Sequence, residues 1–515
     1  MKTSPPPIAF EELASAVPVR RGQVDPDTWV AHCAAVREGG GRLVALWGAD
    51  ERAHSGNYAL HACLAERQGL TWLTLALNDA ATSYPSLHAI FPAAARMQRA
   101  VRDLLGLQAH DAPDSRPWLR HNAWGEHQFP LRKDFDAATA VGQPDDGYPF
   151  VPVSGDGVHE IAVGPVHAGT IEPGHFRFSV VGEKVLRLEE RLGYTHKGIE
   201  KRFEGLSVEE AAPLAGRISG DSTSAYAWAY AMAVESAAGI SLPARGVWLR
   251  ALLLERERMA NHLGDLGALG NDAGLAFGLA QFSRLKENAL RANQAIFGHR
   301  YAMDAICPGG SAVTLDGAGA SRLLHELNVL EDEVRRLKHI YDEHAGLQDR
   351  LLTTGRVTPA LAAQLGLSGL AGRASGQAWD LRVQFPHAPY DQLDTRMTTH
   401  RAGDVAARVT VRMEELLESL RLCRLILHRM PPGPVAVPCR IPPGRRMGVG
   451  WVEGWRGEVL VALTLDDDGR IERLHAHDPS WQNWPALEHA IMGNIVPDFL
   501  LINKSFNLSY SGHDL

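Results

Sequence analysis

The chain has 515 residues, of which 45% are hydrophobic and 22% are charged, and its formal net charge is −8. This composition is typical of a globular protein with two to four domains of about 150 residues each. A general nucleic-acid binder would normally carry a basic face, so the negative charge argues against that class.

Cysteine usage and hydropathy restrict the class further. The five cysteines are far apart and form no Cys-x-x-Cys pair, so local spacing encodes neither a zinc ribbon nor an iron–sulfur cluster. Sparse cysteines are typical of a reducing cytoplasm. No apolar run approaches the roughly 20 residues that span a bilayer, and residues 1–10 lack the apolar core of a signal peptide. At a membrane, other subunits would therefore have to hold this chain.

Residues 1–110 show the pattern of a small α+β domain. Residues 42–48 and 70–77 are predicted strands, the second alternating apolar and polar side chains with period two. Residues 94–105 form a predicted amphipathic helix that ends near Gly106. Residues 111–158 are rich in Pro, Asp and Gly, which predicts a linker or an extended arm that wraps over a neighbouring surface.

Residues 159–515 have a different pattern, in which apolar residues recur every three or four positions. A hairpin is predicted first, with strands at 160–163 and 175–180. Long helices are then predicted at 245–263, 282–297, 318–344 and 404–428. Within the first of these helices, the charged run 255–258 is interpreted as a solvated or inter-subunit face.

The C-terminal part adds small β segments to the helices. Strands are predicted at 458–465 and 471–475 across the turn 466–469, and a last helix at 484–492 precedes a tail. The predicted fold class is therefore α+β, with a small N-terminal α+β domain, the arm, and a mainly α-helical bundle domain with small β segments.

Two short motifs indicate a function. Residues 217–222 (Arg-Ile-Ser-Gly-Asp-Ser) and 478–483 (Asp-Pro-Ser-Trp-Gln-Asn) resemble the Arg-x-Cys-Gly-x-Cys and Asp-Pro-Cys-x-x-Cys motifs of nickel–iron hydrogenase large subunits. The four metal-ligand positions are held by Ser219, Ser222, Ser480 and Asn483. A nickel–iron centre needs soft thiolates, whereas hydroxyls and a carboxamide are hard, neutral donors. We therefore predict that these positions bind no metal and that the chain is not a functional hydrogenase.

The resemblance extends over nearly the whole chain. Residues 164–167, 172–178 and 193–201 are similar to segments of membrane-bound hydrogenase large subunits and of the corresponding subunit of respiratory complex I. Residues 91–92, 103–106 and 130–135 are similar to the smaller complex I subunit that packs beside it. As a whole, the chain resembles the fused large subunit of formate hydrogenlyase-type and energy-converting hydrogenase-related complexes, without the nickel-ligating cysteines.

This resemblance implies roles for several polar residues. Glu172 stands where hydrogenases have a glutamate that passes protons from the metal site, and the alternative is a surface carboxylate before a turn. Arg217 matches a motif arginine, which either stabilises an anion or a partner's cluster or forms a buried salt bridge with Asp221 or Glu200. The four side chains at the ligand positions are either polar fillers of a relict cavity or the lining of a pocket that holds another molecule.

Histidines and tyrosines on the matching motifs are candidate acceptor-binding residues. In complex I, a histidine on this hairpin and a tyrosine near the first motif hydrogen-bond the quinone headgroup. His167, His175 and His196 are the histidine candidates, each with the alternative of a satisfied structural residue. Gly220 occupies the position of the tyrosine, which leaves Tyr194 and Tyr226 as substitutes.

The function implied by the resemblance is that of a peripheral-arm subunit in a complex I-like oxidoreductase. Such a subunit would lie at the cytoplasmic face of the bacterial inner membrane, docked on a small iron–sulfur subunit and on membrane ion-translocating subunits. It would carry no cofactor of its own, and a quinone or another acceptor would bind in the vacated metal cavity and take electrons from the partner's cluster, coupled to proton movement. Gly309 and Gly310 are too short a run for a phosphate loop, so the chain encodes no nucleotide site. The alternative is a non-redox structural subunit.

Overall fold

The computed structural model describes residues 8–79, 82–136, 138, 142, 147–167 and 171–515. Its N-terminal unit is built on a five-stranded sheet in the order β1-β2-β5-β4-β3, in which β2 and β5 are parallel and the other pairs are antiparallel. The strands are β1 (Phe10–Leu13), β2 (Val19–Val24), β3 (Arg42–Glu51), β4 (Asn57–Glu66) and β5 (Gly69–Asn78). The two predicted strands are confirmed by β3 and β5.

Helices and a small parallel pair complete the N-terminal unit. They are α1 (Pro26–Glu38), α2 (Arg52–Ser55), β6 (Ser83–Pro85), α3 (Ala94–Leu105) and β7 (Gln108–His110). The predicted helix at 94–105 is confirmed by α3, which packs on β3. Gly106 ends it in the left-handed region, with φ at 77° and its N–H donated to the Arg102 carbonyl.

The arm contains no helix or strand among the described residues from 111 to 157, and it lies over α3. The Asp103 carboxylate on α3 accepts backbone N–H groups from three successive arm residues, at 2.6, 2.7 and 3.2 Å. Two of these residues, Trp118 and Leu119, are buried. Charged acceptors give strong hydrogen bonds, so Asp103 fixes an otherwise irregular segment.

The larger unit begins with a three-stranded antiparallel sheet, order β10-β9-β8, formed by β8 (Val158–Val163), β9 (His175–Val181) and β10 (Lys184–Arg191). This sheet confirms the predicted hairpin. The helices that follow are α4 (Ile199–Phe203), α5 (Val208–Ala215), α6 (Thr223–Ala238), α7 (Ala244–Asp272), α8 (Ala276–Phe297), α9 (Gly317–Glu343), α10 (Ala345–Leu351), α11 (Pro359–Leu365), α12 (Gly369–Ala374), α13 (Leu381–Gln384) and α14 (Val405–Arg429). The small strands β11 (Ile306–Cys307) and β12 (Gly310–Ser311) form a pair between α8 and α9. The four predicted long helices are confirmed by α7, α8, α9 and α14.

A second three-stranded sheet, order β13-β14-β15, packs on α6 and is followed by three C-terminal helices. These elements are β13 (Arg446–Glu453), β14 (Glu458–Leu465), β15 (Ile471–His477), α15 (Ser480–Ala490), α16 (Phe499–Phe506) and α17 (Tyr510–Asp514). The predicted start of the last helix was wrong by four residues, because α15 begins at Ser480. The predicted tail is instead two further helices whose side chains are largely buried.

The interpretation of residues 255–258 as a solvated face was wrong. All four charged side chains are buried, with exposed fractions of 0 to 9%. The Glu255 carboxylate is held by the Arg382 guanidinium at 3.0 Å, and by two hydroxyl donors, Ser419 at 2.7 Å and Tyr390 at 2.8 Å. Burial would raise the pKa of Glu255, but the nearby guanidinium groups keep it below its usual value. These charges face inward because distant segments supply their partners.

The two units meet along the edge strand β3, where a buried apolar cluster shared with β13 and β14 and a set of polar contacts hold the seam. The Arg473 guanidinium donates to the Gly48 carbonyl at 3.1 Å, and Arg445 pairs with Glu51 at 2.9 Å. A further ion pair joins Arg42 to a buried carboxylate of β14. No helix among the described residues is long and apolar enough to cross a membrane.

We expect Gly450→Ala to destabilise the protein. A Cβ atom at Gly450 on β13 would lie 1.9 Å from the Ala229 carbonyl of α6, so strand and helix would have to separate. Overpacking of this kind costs about 1–3 kcal/mol in the free energy of unfolding. Urea denaturation measures the effect, and Gly317→Ala is the control because a Cβ there meets nothing within 4 Å. Equal stability of the two variants would contradict the proposed close packing.

Candidate functional site

The two hydrogenase-like motifs lie together in the larger unit. The first motif ends at the start of α6 and the second at the start of α15. The Tyr226 hydroxyl of α6 donates to the Asp478 carboxylate at 2.8 Å, which joins the motifs directly. Burial raises the pKa of Tyr226, and the Asp478 charge adds to this effect, so the phenol stays protonated and remains a donor.

The side chains at the four ligand positions are buried and hydrogen-bonded to protein groups. Ser219 bonds the Ser509 hydroxyl at 3.0 Å, and Ser480 accepts the Ser509 N–H at 2.9 Å. Asn483 exchanges two hydrogen bonds with the Ser368 backbone, both at 3.2 Å. Ser222 accepts from an arginine guanidinium at 3.2 Å. Side chains of the C-terminal segment (residues 507–515) therefore fill the space between the two motifs.

Packing of this C-terminal segment is tight at Gly512. A Cβ atom there would lie 2.4 Å from an Asp478 carboxylate oxygen, and the Gly512 N–H donates to the Ser509 hydroxyl at 2.9 Å. Ser511 adds a hydroxyl contact to Ser219 at 3.4 Å. The segment is thus positioned by both motifs at once.

A guanidinium group, Arg456, stands beside the first motif. It makes a two-pronged ion pair with Asp221, at 2.8 and 2.6 Å, and its Nε donates to the Asn507 carbonyl. The Trp455 ring lies 4.0 Å from the guanidinium carbon. Packing around the Asp221 carboxyl would raise its pKa, but Arg456 outweighs this and holds the pKa below its usual value. A fixed positive charge therefore compensates this carboxylate.

Metal binding does not fit these donors. Hydroxyl and carboxamide groups that are already engaged with protein partners lack the soft, ionisable character that a nickel–iron centre requires. Among the described residues, no group of three His, Cys, Asp or Glu side chains is arranged to hold a metal ion.

Arg217 lies away from the other candidates. Its side chain is exposed and pairs with Asp304 at 2.6 Å. The predicted alternative of a buried salt bridge with Asp221 or Glu200 was wrong, because Asp221 pairs with Arg456 and Glu200 lies at the seam. The chain turns outward at Arg217 before Ile218 enters the core.

At the seam, Glu200 is the centre of a buried polar group. Its carboxylate accepts from Arg473 at 3.2 Å and from the His475 ring at 2.6 Å. Burial would raise the pKa of Glu200, but these partners lower it to about 2. His196 lines the same small cavity of about 30 Å³, and its Nδ1 contacts the Asp514 carbonyl at 2.8 Å.

Glu172 and the hairpin histidines lie near the start of β9. Glu172 is exposed, and its carboxylate accepts the Ser511 N–H at 3.1 Å. His167 contacts the Gly174 carbonyl at 2.9 Å, and His175 contacts the Gly164 carbonyl at 3.0 Å. The side chain of Glu172 is therefore at the surface, one backbone contact away from the C-terminal segment.

A pocket of about 250 Å³ opens between the hairpin sheet and the arm. His175 and Tyr194 line it, so the structure brings together two of the predicted residues from different motifs. His121 packs against the Tyr194 ring at a centroid distance of 4.6 Å. The complete lining is His121, Tyr148, Phe150, Gly164, Pro165, His175, Arg177, Arg191 and Tyr194.

Sequence reasoning missed four polar residues of this pocket. His121 and Tyr148 lie on the arm, where no periodic pattern predicts which side chains face inward. Arg177 and Arg191 lie within or next to the matching segments 172–178 and 193–201, and this proximity was the available signal.

Two family models match different parts of the chain. The family model described as "Respiratory-chain NADH dehydrogenase, 30 Kd subunit" matches residues 22–141, and that of the "49 Kd subunit" matches residues 272–449. A chain in the structure of the membrane-bound sulfane sulfur reductase, an archaeal respiratory membrane complex, has a TM-score of 0.66 and 25% identity. This match covers 71% of the present chain and 100% of that chain. The fold and motifs thus define a complex I-like, hydrogenase-related subunit in which the two types of unit are fused.

Comparison with curated relatives shows the family to which this chain belongs. Formate hydrogenlyase subunit 5 of Escherichia coli is 31% identical over 483 residues, which is 92% of this chain and 85% of that protein. Hydrogenase-4 component G of the same organism is 32% identical, with 92% and 84% covered. An NADH-quinone oxidoreductase subunit of Bacteroides fragilis is 28% identical, with 84% and 85% covered. The chain belongs to the family of fused 30 kDa- and 49 kDa-type subunits that includes formate hydrogenlyase subunit 5, which confirms the resemblance identified from the motifs.

We expect Arg456→Met to destabilise the protein, because Asp221 would keep its charge without a counter-charge, while the Ser219 and Ser222 hydroxyls would still donate to it. Breaking a buried pair costs about 3–5 kcal/mol, and partial exposure of Asp221 reduces this to about 2–3 kcal/mol. Urea denaturation of the single variant and of Arg456→Met/Asp221→Asn measures the cost, and the double variant should recover part of it. No recovery would show that packing on Trp455, and not the ion pair, carries the effect.

The low pKa of Glu200 predicts a specific acid sensitivity. A carboxyl with a folded-state pKa of about 2 stabilises the native state above its unfolded pKa of about 4.3, and this contribution disappears as pH falls toward 2. Glu200→Gln should therefore lose about 3 kcal/mol at pH 7 and show a flatter loss of stability from pH 5 to 2. Denaturation at several pH values tests this, with the exposed Glu343→Gln as control. Parallel wild-type and Glu200→Gln curves would be inconsistent with the assigned charge state.

Proposed function

We propose that this chain is the peripheral-arm subunit of a membrane-bound, complex I-like respiratory complex and that it binds an electron acceptor. The observation that carries the proposal is the pocket of about 250 Å³ in which His175 and Tyr194, from two family motifs, face one space. The acceptor, a quinone or another oxidant, receives electrons from an iron–sulfur cluster of a small partner subunit. Membrane subunits that translocate ions hold the assembly at the cytoplasmic face of the bacterial inner membrane.

The lining suits a headgroup that is reduced. Phenol groups donate hydrogen bonds to carbonyl oxygens, and the rings of Tyr148 and Phe150 offer faces for stacking. Full reduction of a quinone takes two electrons and two protons. Glu172 is exposed beside the C-terminal segment, and we assign it to proton supply. His175 lies in the pocket, and we assign it the same role once its contact with the Gly164 carbonyl opens and frees the Nδ1 proton.

The acceptor pocket differs in position from the relict metal site. The two share a boundary, because the Tyr510 ring packs against Gly174, next to His175, while neighbouring Ser509 bonds Ser219. In this proposal the side chains at the four former ligand positions are structural. They hold in place the C-terminal segment, which packs against the hairpin.

A second candidate function is a non-redox structural subunit, and one observation favours it. The space between the four ligand positions is filled by hydrogen-bonded side chains. In that case the chain holds the assembly together, and electrons leave the complex through another subunit.

The experiment uses the purified whole complex with its iron–sulfur clusters chemically reduced. A short-chain quinone is added and cluster reoxidation is followed by electron paramagnetic resonance in wild type, Glu172→Gln, His175→Ala and Tyr194→Phe. We expect the three changes to slow reoxidation about tenfold or more, since each removes a proton donor or a hydrogen bond to the headgroup. The exposed His325→Ala on α9 is the matched control. Reoxidation that is absent, or equally fast in all variants, would support the structural function instead.

A further inference from the structure

Arg191 is a buried cation at the wall of the acceptor pocket. It is the last residue of β10, and only 3% of it is exposed. One nitrogen of its guanidinium donates to the carbonyl oxygens of Pro117 and Trp118. The Tyr148 ring covers the guanidinium at 4.3 Å from the ring centroid. Two backbone carbonyls and one ring of the arm therefore lie against this group, and that ring also lines the pocket.

No carboxylate among the described residues lies within ion-pair distance of Arg191. Neighbouring arginines in the same region do have such partners: Arg96 pairs with Glu190 at 2.8 Å, and Arg99 pairs with Asp114 at 3.0 Å. Asp103 acts on Arg191 only through its longer-range charge, since its carboxylate holds the arm amides. Burial lowers the pKa of Arg191 to about 10, so the group remains protonated at neutral pH. A buried charge without a counter-charge is costly unless a ligand supplies one.

A second guanidinium faces the same space. Arg177 pairs with Glu160 at 2.8 Å, and its Nε donates to the His175 Nε2 at 3.3 Å. This contact leaves the proton of His175 on Nδ1, where it is donated to the Gly164 carbonyl. Phe150 covers Arg177 at 4.6 Å, as Tyr148 covers Arg191. The pocket wall thus carries two positive charges, and one of them is balanced by Glu160.

We infer that this pocket binds an anion, with the Arg191 guanidinium as its counter-charge. The inference rests on the proposed function and specifies its substrate class. The acceptor either arrives as a small anion or is a neutral quinone that becomes anionic when it takes up an electron before a proton. In both cases the bound species presents a negatively charged oxygen, or a similar acceptor atom, to the planar Arg191 guanidinium, which can donate two hydrogen bonds to it.

Equilibrium binding tests the site without redox chemistry. The purified complex is titrated with sodium sulfate at constant ionic strength and followed by calorimetry, in wild type, Arg191→Gln and Arg177→Gln. Arg284→Gln is the matched control, because it removes the same charge from an exposed position that pairs with Glu333. We expect affinity to fall about tenfold or more in Arg191→Gln, and less in Arg177→Gln, with no change in the control.

The alternative outcomes are decisive. Equal sulfate affinity in wild type and Arg191→Gln, or no saturable binding at all, would overturn the anion site. If Arg191→Gln does not fold, Arg177→Gln decides. Unchanged sulfate affinity in Arg177→Gln would show that sulfate does not bind beside this second guanidinium of the pocket, and it would overturn the anion site.

The same variants separate this inference from the proposed function. Sulfate that binds through Arg191 but does not slow cluster reoxidation by quinone would support the anion site and count against the redox role. Unaltered reoxidation in Arg191→Gln, together with slow reoxidation in His175→Ala, would leave the acceptor pocket in place and refute its anion preference. An anionic acceptor requires Arg191 for binding of its oxidised form, whereas a neutral quinone requires it only after reduction has begun.

Discussion

The centre of the larger unit depends on one guanidinium group. Arg456 neutralises Asp221 of the first motif and holds the Asn507 carbonyl of the C-terminal segment. Neighbouring Trp455 donates to the Asp221 carbonyl at 2.9 Å, so the same turn fixes both the side chain and the backbone of that residue. Arg456 thereby joins the first motif to the C-terminal segment, and Ser509 joins that segment to both motifs through Ser219 and Ser480. The hydroxyls are satisfied by protein groups, which is the condition for burying them at low cost.

The proposed acceptor pocket lies at the edge of the joined motifs. The C-terminal segment that fills the old ligand positions also packs on the hairpin, through Tyr510 against Gly174. That contact helps to position the start of β9, which carries the His175 and Arg177 side chains that line the pocket. The arm supplies the opposite wall because Asp103 fixes its backbone. The pocket is therefore a product of three segments, none of which would form it alone.

Much of the fold was predictable because its signals are local. The helices at 94–105, 282–297, 318–344 and 404–428 have apolar periods and clear ends; Asp404, for example, caps the first turn of α14 through the Ala407 N–H. The motifs likewise predicted that Ser219 and Ser480 would lie in one region, and both side chains bond Ser509. The buried state of residues 255–258 was not predictable, since alternating charges on a helix look the same whether solvent or distant arginines surround them. Arg382 and Tyr390 lie more than 100 residues further along the chain. The pocket beside His175 was missed because its lining also comes from segments far apart in the sequence.

The seam between the two units combines charge and carbonyl contacts, such as Arg445 on Glu51, with a buried apolar cluster that both units supply. Val44 and Trp47 of β3 belong to this cluster together with Val449 and Trp451 of β13. The arm also tethers one unit to the other, so each unit experiences its neighbour at a high effective concentration. Separation of the two units would therefore expose apolar surface on both of them and would also work against the covalent connection.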